Sequence, residues 1–147
     1  MAEPLAVAKR APRAPLFERL SAGGDKGRGL TFSELVTSIR TEVEGLLNSR
    51  LAVPIDELIG ARRTVTSYGV PDLPPFSGKS FGTWGELCAC LAETVAAFEP
   101  RLAGIKVEVI DMDRHRRSLA LRITANLRDG PAQAPIRFSV HLPAGAP

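Results

Sequence analysis

Apolar residues recur along this chain with two different periods, and the change from one to the other falls at residue 100. Before it the spacing is helical. Leu35, Val36, Ile39, Val43, Leu46 and Leu47 fall within an arc about 120° wide on a helical wheel. Thr37, Arg40, Thr41 and Glu44 lie outside that arc. The helix opens on Thr31-Phe32-Ser33-Glu34, the signature of a reciprocal capping box, with Leu30 and Leu35 at the staple positions. It is expected to end near Asn48 to Arg50. A second helix is predicted behind Thr83-Trp84-Gly85-Glu86, another capping box, and runs to about Phe98. Its stripe is Trp84, Leu87, Cys88, Leu91, Val95 and Phe98. Pro100 cannot continue it and biases Glu99 away from helical geometry.

After Pro100 the period is two. Ile105, Val107 and Val109 alternate with Lys106 and Glu108. Leu119, Leu121, Ile123, Ala125 and Leu127 alternate with Ala120, Arg122, Thr124 and Asn126. Ile136, Phe138, Val140 and Leu142 alternate with Arg137, Ser139 and His141. Such runs are half-buried strands. The separating turns, Asp113 to Arg117 and Arg128 to Pro135, are short and polar. The expected fold class is therefore α+β: two main helices packed on one face of a three-stranded antiparallel meander.

The remaining stretches are less regular. Residues 1–14 are Ala, Pro and basic residues, and are expected to be a disordered tail. Residues 15–147 are expected to form one domain. Leu16-Phe17-Glu18-Arg19-Leu20 reads as a short apolar anchor, and Gly23 to Gly29 as a flexible link. Pro54 can start a helical turn through Ile59 that stops at Gly60, and Arg62 to Tyr68 reads as another turn. Tyr68 to Pro75 is dense in turn-formers, an ordered connector.

Composition narrows the function classes. The 147 residues carry a net charge of +3. That mild excess permits a nucleic-acid or an acidic-partner reading without demanding either, and no nucleic-acid partner is expected. No apolar run approaches the ~20 residues of a membrane span, and no signal peptide is recognisable, so a cytoplasmic protein without membrane insertion is expected. Cys88 and Cys90 lie two apart on a predicted helix, too divergent for a disulfide. They are expected to be reduced thiols, Cys88 buried and Cys90 not. No further Cys or His cluster completes a zinc site.

Candidate chemistry gathers at Glu99-Pro100-Arg101, where the periods change. Glu99 falls at the edge of the apolar stripe, at a helix end where an acid opposes the macrodipole. Arg101 can offer a fork of donors to a carboxylate or to carbonyls. Recognition and a plain local ion pair both account for that pattern. Asp111 and Asp113 have a spacing a divalent ion can use, though acids there more often begin a turn. Arg114-His115-Arg116-Arg117 concentrates charge at a hairpin tip without interleaved aromatics, so a solvated tip is expected. Many acids are present, yet no spacing singles out a glycosidase pair, and neither His115 nor His141 belongs to a triad pattern.

Four stretches together resemble one family. They are Leu16 to Leu20, Leu46-Leu47-Asn48-Ser49-Arg50, Val65 through Tyr68-Gly69-Val70-Pro71-Asp72-Leu73, and Phe98-Glu99-Pro100-Arg101-Leu102 with the strands that follow. The chain resembles TssE, the type VI secretion baseplate subunit related to the small wedge protein of contractile-tailed phages and often labelled lysozyme-like. Ser67 stands where that family commonly has Asn. The resemblance implies a structural, non-catalytic subunit that needs no cofactor. Glu99, Pro100 and Arg101 would form its docking motif, with Glu99 and Arg101 facing the partner. The implied partners are the wedge proteins TssF, TssG and TssK and the sheath proteins TssB and TssC, with the sheet helping to seed sheath assembly. Two rival expectations are a peptidoglycan-cleaving hydrolase and a regulatory adaptor of the same fold class.

Overall fold

The computed structural model describes residues 20, 29–71, 81–113, 115, 118–128 and 135–143. The expected N-terminal tail and glycine link, the end of the connector and most of both hairpin turns lie outside these residues. Of the expected apolar anchor only Leu20 is described, and it is exposed.

Helix α1 spans Phe32–Asn48. Both halves of its capping box are formed: Glu34 N–H donates to Thr31 Oγ1 at 3.3 Å, and Thr31 N–H donates to Glu34 Oε2 at 2.8 Å. Its core face carries Leu35, Ile39, Val43, Leu46 and Leu47. Ser38 is buried with them, a polar residue that the apolar pattern passes over.

The chain then forms a two-residue strand, β1 (Arg50–Leu51), a single helical turn, α2 (Ile55–Leu58), a 3-10 turn (Val65–Ser67) and a second two-residue strand, β2 (Val70–Pro71). Strands β1 and β2 pair in parallel, Arg50 with Val70 and Leu51 with Pro71. Nothing in the apolar pattern anticipates this pair, because two residues carry no period. Gly69 makes it fit. Its φ is +124°, and a Cβ there would lie 2.7 Å from the Ser49 carbonyl oxygen.

Helix α3 spans Phe81–Phe98. It begins two residues before Thr83, so the second predicted capping box lies inside the first turn rather than at the helix start. Three strands follow: β3 (Leu102–Asp113), β4 (Ser118–Leu127) and β5 (Ile136–Pro143). They form an antiparallel sheet in the order β3-β4-β5.

Helix α3 packs over β3 and α1 over β5, with the two helices also touching each other. The α+β layering expected from the pattern is therefore present, with the parallel pair and the short helix as additions. Strand β4 shows why the sheet has one dry face. Leu119, Leu121, Ile123, Ala125 and Leu127 are all buried. On the opposite face Glu108 lies beside Arg122, 3.8 Å between charged atoms. A register shift between Val109 and Asp111 lets Met112 rejoin the core side, packed against the apolar cluster.

The cysteines reverse their expected order. Cys90 is fully buried, while Cys88 is half-buried. The stripe inferred for α3 was too narrow. Segment 55–63 covers the flank that a two-layer picture leaves wet, through α2 and through Arg63, which reaches Cys90.

Candidate functional site

The joint between α3 and β3 is built on backbone bonds first. Glu99 N–H still donates to the Val95 carbonyl at 2.8 Å, the last helical bond before Pro100. Leu102 N–H turns back to the Glu99 carbonyl at 3.1 Å. From the far end of β4, Arg128 N–H donates to the Arg101 carbonyl at 2.9 Å, and Arg128 Nε donates to the Leu102 carbonyl at 3.1 Å. Helix end, strand start and the exit of β4 thus meet in one hydrogen-bonded corner.

The side chains close it. Arg101 Nε donates to Glu99 Oε1 at 2.7 Å, and Nη2 donates to Glu99 Oε2 at 2.6 Å. This is the parallel two-point fork that guanidinium and carboxylate planes favour. Arg101 N–H adds a third donor to Oε1 at 3.1 Å. The other end of the guanidinium crosses to α1, where Nη1 donates to Ser38 Oγ at 3.1 Å. Ser38 therefore links the corner to the first helix, which accounts for its buried place among apolar neighbours.

Burial decides which groups can face outward. Glu99 is 3% exposed, Arg101 is half-buried and Pro100 is exposed. The expectation that both Glu99 and Arg101 face a partner is corrected for Glu99. Its carboxylate points inward and both oxygens are occupied. The physical reason was visible in the wheel position, since a residue at the edge of an apolar stripe at a helix end turns toward the core. Pro100 and the accessible part of Arg101 form the outer surface, and Glu99 fixes the geometry of Arg101 from beneath.

Residues 33–132 match the family of baseplate wedge protein gp25, a span that takes in α1, α3, the corner and strands β3 and β4. The chain belongs to that family. The crystal structure of a protein from Geobacter sulfurreducens, described as a tail lysozyme, aligns with a TM-score of 0.50 at 14% identity, covering 80% of this chain and 98% of that one. At that identity the likeness is one of fold. No curated protein sequence matches the chain significantly.

In this wedge-family chain the corner has a second wall. The Tyr68 ring meets the Phe98 ring edge-on, with centroids 5.2 Å apart and planes at 72°. Glu42, Val43 and Leu46 of α1 join Tyr68, Phe98 and Glu99 around a small cavity of about 20 Å³, room for a single water. Burial first, and then the Glu42 carboxylate, push the Tyr68 phenol above its ordinary value. The Tyr-Gly-x-Pro stretch and the Glu-Pro-Arg stretch, thirty residues apart in sequence, thus pack against each other. Tyr68 was read as a turn-former and as part of one of the stretches that carry the family resemblance, but neither reading placed its ring beside Phe98.

The other candidate residues do local work. Asp111 Oδ1 accepts from Met112 N–H at 2.8 Å within β3, beside the register shift, and Asp113 Oδ1 accepts from His115 N–H at 2.9 Å where the turn after β3 begins. Among the described residues no group of three or more His, Cys, Asp and Glu is placed to hold a metal ion. Of the basic hairpin tip only His115 is described, and it is exposed. Among the described residues no helix is long and apolar enough to cross a membrane.

Proposed function

We propose that this chain is a structural subunit of the baseplate of a contractile injection machine, of the type VI secretion kind, working in the cytoplasm. One observation carries the proposal: the wedge-family match extends over residues 33–132 and encloses the corner. Pro100 and Arg101 dock the subunit onto wedge neighbours of the TssF, TssG and TssK kind. Glu99 acts from below by holding the guanidinium of Arg101 in one orientation. A rigid fork loses little conformational freedom when a partner closes over it, which favours recognition. The sheet adds a second contact: among the described residues its outer strands β3 and β5 each have one unpaired edge, the kind of edge onto which a sheath protein of the TssB and TssC kind can add a strand.

We also propose that the subunit is not an enzyme. Among the described residues the buried carboxylate is Glu99, and donors from Arg101 occupy both of its oxygens. Purified protein incubated with peptidoglycan should release no soluble fragments. Turnover abolished by one Glu substitution would replace the structural reading with the hydrolase reading. Co-expression with the candidate wedge proteins should give a stable complex, and failure of every pairwise combination to co-purify would count against the baseplate assignment.

A further inference from the structure

Away from the corner, on the other flank of α3, one arginine is poorly matched to its surroundings. Arg63 follows α2, and its side chain is 5% exposed. Its Nη2 donates to Cys90 Sγ at 3.4 Å and lies 4.0 Å from Glu93 Oε2. Its Nε and Nη1 are buried and have no hydrogen-bond partner among the described residues. Glu93 is itself engaged, accepting from Gly60 N–H at 3.4 Å. A guanidinium is charged at every physiological pH, and a thiol sulfur is a weak acceptor. Charged donors kept from water without partners are costly, and arginines are rarely this buried unless paired. The berth therefore holds the charge at a loss that a carboxylate would recover.

The surface around the berth has a matching character. Arg62, next in the chain, is exposed. Four residues before Arg63 and two after it in sequence stand two large exposed apolar residues, Ile59 at 45% and Val65 at 89% exposure. Cations between exposed apolar side chains complement an acidic stretch with apolar flanks.

We propose that Arg63 is a stowed anchor for a partner protein. Its guanidinium swings away from Cys90 and takes a carboxylate from an acidic segment of the neighbour, whose apolar flanks cover Ile59 and Val65. The site uses none of Glu99, Pro100 or Arg101, so it stands or falls independently of the docking corner.

The test follows the Arg63 Nε–H resonance in the ¹⁵N-labelled full chain, assigned by its loss in Arg63→Lys. The probe is a capped Leu-Asp-Glu-Val peptide, with Leu-Asn-Gln-Val and inorganic phosphate as controls. The acidic peptide should move that resonance and the amides of Ile59 and Val65, and bind at least about tenfold more tightly than the neutral peptide. Arg63→Gln should weaken the acidic peptide by about tenfold. Arg63→Met should melt no lower than the parent chain, because it removes a buried charge whose one ion pair, to Glu93, is 4.0 Å long and whose Nε and Nη1 have no partner among the described residues. The proposal is overturned if the acidic and neutral peptides act alike, if phosphate reproduces the shift, if the shift tracks self-association in sedimentation, or if Arg63→Met melts well below the parent.

Discussion

Arg101 grips Glu99 across the single residue Pro100, with two N–H···O bonds of 2.7 and 2.6 Å, and carries the pair to helix α1 through Ser38. The acid and the base of this motif therefore answer each other before they answer any partner. That changes how the motif is to be probed. Removing one member does two things at once, since it alters the outer surface and strands a charge beneath it.

Single substitutions should consequently be costly to the fold. Arg101→Ala leaves the Glu99 carboxylate buried without its main partner and should destabilise the chain by about 3 kcal/mol. Replacing both, as Glu99→Leu with Arg101→Met, removes both charges together and should recover most of that loss. Urea unfolding of the two single variants and the double variant measures the coupling directly. Additive losses would mean that the fork contributes little.

The bridge to α1 is weaker. Ser38→Ala removes one charge-assisted bond from Arg101 and should cost about 1 kcal/mol. Thermal melting should register this as a fall of about 2–4 °C. No change would mean that the Ser38 bond does not help to hold Arg101.

Gly69 is a tightly constrained backbone position, with a positive φ and Ser49 close by. Gly69→Ala combines a φ of +124° with a Cβ set 2.7 Å from the Ser49 carbonyl oxygen, a backbone atom that cannot yield without moving β1. The loss should be about 3 kcal/mol, read from urea unfolding, whereas Gly45→Ala, on an open face of α1, should be neutral or stabilising.

Tyr68 is the single tyrosine in the chain, so tyrosinate absorbance reports on it alone. Burial and Glu42 raise its pKa above 10.0, and the titration midpoint should lie above that value. Glu42→Gln should lower it. The folded chain holds this proton more tightly than the unfolded chain. The associated stability is therefore complete below pH 10.0 and is lost as pH rises through the folded midpoint. A midpoint at or below 10.0 would place the ring in open water.

The thiols should differ in the order the structure sets. Burial raises the Cys88 pKa, a backbone hydrogen bond from Val109 partly opposes this, and Glu108 adds to the rise. Cys88 should react slowly with a disulfide reagent at pH 8, and Cys90 should stay silent until the chain unfolds. Two equal fast phases would contradict the burial of Cys90.

Much of this molecule is legible in the order of its residues, wherever a period is sustained. Thr31 and Glu34 announce the start of α1, and the odd positions from Leu119 to Leu127 announce the dry face of β4. The parallel β1–β2 pair left no such trace, because its register rests on a glycine conformation and two hydrogen-bonded residues. Cys90 was misplaced for a related reason: Arg63 covers it from a segment without periodicity. Ser38 was not legible in the apolar pattern. It is buried, yet it lies about 60° outside the apolar arc at 100° per residue, and the reach of Arg101 from the corner explains its place. The inward turn of Glu99 was written in its wheel position, but an acid beside a base at a helix end reads as surface until the depth of the fork is seen.

The central claim is that the outer surface of this corner, Pro100 and Arg101, is the docking point for the neighbouring wedge subunits. The Glu99→Leu, Arg101→Met double variant tests it most directly, because it should stay folded while losing the motif. Co-expressed with the wedge proteins that hold the parent chain, the double variant should melt within a few degrees of the parent and yet fail to co-purify. Co-purification at the parent level from a folded double variant would contradict the claim.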